Sequence, residues 1–93
     1  MTTQRYDNIW DAIEDSAEQA ENMRLRASLM MALERYVTRN GMSQEKAAKL
    51  LGVSQPRISN LMRGKISLFS LDMLVNMVAA AGLHVEMKIS ETA

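Results

Sequence analysis

Ser43-Gln44-Glu45-Lys46-Ala47-Ala48-Lys49-Leu50-Leu51-Gly52-Val53-Ser54-Gln55-Pro56-Arg57-Ile58-Ser59-Asn60-Leu61-Met62-Arg63-Gly64-Lys65 holds two short amphipathic segments that meet at Leu51-Gly52-Val53. Ser43 and Ser54 can each accept a hydrogen bond from a first-turn backbone N–H, which sets two helix starts eleven residues apart. Pro56 falls where the N–H it lacks would have no intrahelical partner. Gly52 can take the left-handed conformation that ends the first helix, and Gly64 can end the second. Ala48 lies on the inner face, where a small side chain lets the second helix cross closely. Val53, Ile58 and Leu61 carry the apolar line inward and leave Gln55, Arg57, Ser59, Asn60 and Arg63 on other faces. This is the pattern of a helix-turn-helix.

Its details resemble one family. From Gln44 to Leu61 the run is similar to the helix-turn-helix of the Cro/cI (XRE) repressors: glutamine opens the first helix, with alanine four residues on, glycine eight on, and aliphatic residues fourteen and seventeen on. The wider pattern is Leu29-Met30-Met31-Ala32-Leu33, then Leu51 to Ser59, then Leu68-Phe69-Ser70-Leu71. It resembles the HigA-type antitoxins of toxin-antitoxin operons. The resemblance implies an all-α, lambda-repressor-like bundle of about five helices, to which the alternation of the last residues adds one C-terminal β-strand. It also implies double-stranded operator DNA as partner and a RelE-like ribonuclease toxin as a second one. By the family's pattern Gln55 and Asn60 read bases, with Arg57, Ser59 and Pro56 beside them, and Gln44, Ser54, Arg63 and Lys65 meet phosphates. Pro56 can touch a thymine methyl but cannot hydrogen-bond through its side chain, which weakens one reading position.

Composition sets bounds on the rest. Ninety-three residues make one small domain, and 47% apolar content is enough for a single core. The chain has no cysteine, so neither a disulfide nor a thiolate metal site holds it, which suits a cytoplasmic protein. No apolar run approaches the roughly 20 residues of a membrane span, so no membrane role is expected. Net charge is zero, but it is unevenly spread. Residues 1–22 hold six acids (Asp7, Asp11, Glu14, Asp15, Glu18, Glu21) against Arg5. Residues 35–65 hold seven bases (Arg35, Arg39, Lys46, Lys49, Arg57, Arg63, Lys65) against Glu45, a local net of +6. That is an electrostatic footprint for phosphate.

Along the chain, residues 1–20 form an acidic segment in which Tyr6, Ile9, Trp10 and Ile13 recur at helical spacing. Two readings stay open: this stripe packs back on the domain, or it orders on a basic partner such as the toxin. Ser16 and Gln19 read as a capping box that starts a turn near Ala17. A long helix is expected over about residues 22–39, with Leu25 or Arg26, Leu29, Met30, Leu33, Tyr36 and Val37 keeping the period, before Asn40-Gly41 stops it. Met23, Met30 and Met31 read as adaptable core filler. Residues 44–51 and 55–62 are the motif, and Lys65 falls in the loop after it. A last helix over about residues 71–81, capped by Ser67 or Ser70, turns Leu71, Leu74, Val75 and Val78 inward. Phe69 plugs it to the motif, and residues 21–82 make up the DNA-binding unit.

In residues 83–93 the period changes. Leu83, Val85, Met87 and Ile89 alternate with His84, Glu86, Lys88 and Ser90, which is a strand pattern. A lone strand has no ladder in a helical chain, so its backbone must pair with the same strand of a second copy, giving a homodimer, or with a partner's sheet edge. His84 reads as a plain exposed side chain. With one histidine and no cysteine, glycine-rich phosphate loop or metal cage, the chain reads as a non-enzyme without cofactor or metal. The leading expectation is a sequence-specific repressor that is also an antitoxin. The alternatives are a stand-alone phage-type regulator and an interaction module that binds no DNA.

Overall fold

The computed structural model describes residues 16–91. Among them are four α-helices: α1 (Ala17–Arg39), α2 (Gln44–Leu51), α3 (Gln55–Met62) and α4 (Leu71–Ala80), with a single 3-10 turn at Ile66–Leu68. Each helix is opened by a serine. The hydroxyls of Ser16, Ser43, Ser54 and Ser70 accept from the N–H groups of Gln19, Lys46, Arg57 and Met73 at 3.1–3.2 Å. Each cap satisfies one of the donors that a helix start leaves without a partner.

The helix ends are equally uniform. Met42, Val53, Lys65 and Leu83 each donate to the carbonyl five residues back, at 3.0–3.1 Å, and each follows a glycine. At Gly52 the reason is clearest. Its φ of 72° is left-handed, and this reversal turns the chain from α2 into α3.

Among the described residues twelve buried apolar ones form one core: Met30, Leu33 and Val37 from α1; Ala47, Ala48 and Leu51 from α2; Ile58 and Leu61 from α3; Phe69; and Leu74, Met77 and Val78 from α4. A fully buried Leu or Ile contributes about 1.5–3 kcal/mol. The buried aliphatics on every helix therefore hold α2 against α3 and α4, and α1 against α4. The two alanines have the smallest side chains in the core, and they sit where α2 meets its neighbours.

Several expectations need correction. The first long helix begins at Ala17, not near residue 22, so the turn expected after Ser16 is continuous with it. Nothing between Ala17 and Arg39 breaks it, since the Ser16 cap is followed by good helix formers. On α4 it is Met77, 2% exposed, and not Val75, 41% exposed, that faces inward. A fifth helix and a strand are absent from the described residues. Residues 83–91 run on without regular structure, because a strand needs a ladder that the single chain does not offer.

Candidate nucleic-acid interface

The second helix of the motif, α3, is held by three sets of contacts. Ile58 and Leu61 fix its inner face, Ser54 caps its start, and Arg57 ties its first turn to the segment that follows. The Arg57 guanidinium donates to the Leu68 carbonyl at 2.9 Å and lies over the Phe69 ring, 5.5 Å from its centroid. A cation over an aromatic face and a charge-assisted hydrogen bond both favour this placement. Phe69 is 1% exposed, so Arg57 rests on a ring that the core itself immobilises.

A second arginine, on α1, grips the same segment. Arg26, half-buried on α1, donates to the carbonyls of Ile66 at 3.1 Å and Phe69 at 3.2 Å, and its Nε donates to Asn22 Oδ1 at 2.7 Å. The 3-10 turn is thereby bracketed by Arg26 and Arg57. Sequence reasoning missed this role for Arg26. The available signal was an arginine at a core-facing position, where a partly buried charge requires acceptors.

The remaining expected residues are placed as follows. Gln55 and Pro56 are exposed on the first turn of α3, while Ser59 and Asn60 are half-buried. Among the described residues, neither the Gln55 nor the Asn60 carboxamide has an intramolecular hydrogen bond. Ser59 Oγ accepts from Arg63 Nη2 at 3.4 Å, which links those two side chains one turn apart. Gln44, Ser54, Arg63 and Lys65 are all exposed, as are Lys46 and Lys49 on α2. The base-reading and phosphate-contacting groups expected from the sequence therefore occur on α3, the start of α2 and the loop after α3. Arg57 differs from them in being tied to residues beyond the motif, Leu68 and Phe69. Tyr6, Ile9, Trp10 and Ile13 lie outside the described residues. Leu83, Val85, Met87 and Ile89 are described; Val85 packs against the core, whereas Met87 and Ile89 are largely exposed.

The family model for the helix-turn-helix domain matches residues 12–90. The chain belongs to that helix-turn-helix family. The match covers the bracketed turn and most of the final segment as well as the two-helix motif. No curated protein matches the chain. Membership in this family points to a DNA-binding regulator, and no described helix is long and apolar enough to cross a membrane.

Proposed function

We propose that the protein is a sequence-specific transcriptional repressor that lays α3 in the major groove of its operator. The observation that carries this reading is the first turn of α3: exposed Gln55 and Pro56 stand on a capped, core-anchored helix, and the carboxamides of Gln55 and Asn60 have no intramolecular partner among the described residues. A carboxamide can donate to and accept from an adenine edge at once, whereas the cations around it, Arg63 and Lys65, suit phosphate. Gel shifts on DNA upstream of the gene test the division of labour. Gln55→Ala is expected to lose about 1–3 kcal/mol of discrimination at one base pair. Lys65→Ala is expected to weaken binding to all sequences alike and to lower the salt slope by about one. Unchanged base preference in Gln55→Ala overturns the reading.

The finer reading is that this repressor is the antitoxin of a toxin-antitoxin operon. It neutralises a RelE-like ribonuclease toxin and represses its own genes. The resemblance to HigA-type antitoxins supports it, as do the six acids of residues 1–22, since a protein that holds RNA presents a basic surface. The stripe Tyr6, Ile9, Trp10 and Ile13 is the proposed toxin contact. Co-expression with the neighbouring reading frame tests it, and loss of co-purification on deleting residues 1–15 is the expected result. A protein that binds its upstream DNA but retains no neighbour is instead a stand-alone regulator. Palindromic operators call for two recognition helices, so the working form is a homodimer joined through Leu83, Val85, Met87 and Ile89.

A further inference from the structure

After Gly82 the chain makes one more backbone hydrogen bond, from Leu83 N–H to the Val78 carbonyl at 3.0 Å. From residue 84 to residue 91 no backbone–backbone hydrogen bond exists among the described residues. The apolar side of this segment is progressively uncovered. Val85 packs on the core, Met87 is 65% exposed, and Ile89 is 91% exposed. Beside Val85 runs an open groove of about 500 Å³ lined in part by Leu29, Ala32 and Tyr36. An edge with free donors and acceptors, one apolar side and a groove next to it fits an added strand.

A strand that pairs antiparallel with its own copy across a two-fold axis has a register fixed by whichever residue lies on the axis. An axis between two residues would set apolar side chains against polar ones, because paired residues share a face. An axis on Glu86 sets that carboxylate against itself, and an axis on Lys88 does the same for the ammonium. An axis on Val85 would require Ile89 to pair with Ala81, just past the end of α4. One choice is free of these conflicts. With Met87 on the axis, Glu86 faces Lys88 twice, Val85 faces Ile89 twice, and His84 faces Ser90 twice.

We infer that a second copy of this chain pairs antiparallel with residues 84–90, with Met87 on the two-fold axis and the Glu86–Lys88 pairs selecting that register. This rests on the reading of the segment as the dimer strand. Directly opposed unlike charges stabilise an antiparallel pair and like charges destabilise it, so the two pairs discriminate between neighbouring registers. Ile89, the most exposed large apolar side chain among the described residues, then covers Val85 of the second copy beside that copy's groove.

Charge reversal tests the inference. Glu86→Lys alone and Lys88→Glu alone each place like charges opposite one another at both pairs. Each variant is expected to self-associate about tenfold or more weakly than the natural chain in sedimentation equilibrium. An equimolar mixture of the two is expected to recover the natural affinity as a heterodimer, which a folding defect would not allow. Because the chain has no cysteine, single substitutions also report the register. Directly opposed residues have Cα atoms about 4.5–5.5 Å apart, within disulfide reach. Met87→Cys should cross-link to itself under mild oxidation. Glu86→Cys and Lys88→Cys should cross-link only when mixed. Self-cross-linking of either of those two overturns the register and leaves the dimer strand standing. A natural chain that stays monomeric at every concentration overturns both, and single charge reversals that dimerise normally overturn the pairing of Glu86 with Lys88.

Discussion

The α2–α3 hairpin and the segment after Gly82 are both short and both amphipathic, yet one is complete within the chain and the other is not. In the hairpin every helix start has a serine hydroxyl, both ends close on a backbone carbonyl, and the apolar faces meet in one core. The final segment has the alternation of a strand and none of its ladder. The difference comes from where each structure finds its hydrogen bonds. A helix satisfies its own backbone from residues four positions away, whereas a strand depends on a neighbour.

Substitutions should respect this division. The largest effect is expected from Phe69→Ala, which empties the centre of the core and removes the platform of Arg57. A loss of about 3–5 kcal/mol is expected in chemical denaturation, a large share of a small domain's total stability. Ser54→Ala removes one cap and should cost about 1 kcal/mol by the same measurement. The smallest effect on the isolated chain is expected from Ile89→Asp. At dilutions where the protein is monomeric its stability should change by no more than about 0.5 kcal/mol, as for an exposed position. At high protein concentration the same variant should lose the concentration dependence of its melting temperature. A large destabilisation of the dilute monomer would place Ile89 in the core and erase the contrast between the two regions.

Much of the hairpin was legible because its signals are local. Serine, the glycine eight residues after Gln44 and the apolar spacing each act within a few residues, and all agree. Residues 71–80 were harder, because α4 is apolar nearly all round and two stripes overlap on it. Its only polar side chains, Asp72 and Asn76, lie on one side, and the direction opposite them passes nearer Leu74 and Met77 than Val75. That contrast held the missing information. For Arg26 the need for acceptors was readable from its core-facing position, but their identity was not, because they are backbone carbonyls 40 and 43 residues away. At the proposed interface the residue types were readable from their spacing. The prior engagement of Arg57 was not, since it depends on where Leu68 and Phe69 come to rest.

That engagement couples two properties usually treated apart. If α3 reads an operator as proposed, Arg57 meets the DNA from a position already set by the Leu68 carbonyl and the Phe69 ring, with four N–H donors beyond the one given to Leu68. On that reading Phe69 would act on selectivity as well as on folding, and a replacement there is expected to alter the protein's thermal tolerance and its preference among operators together.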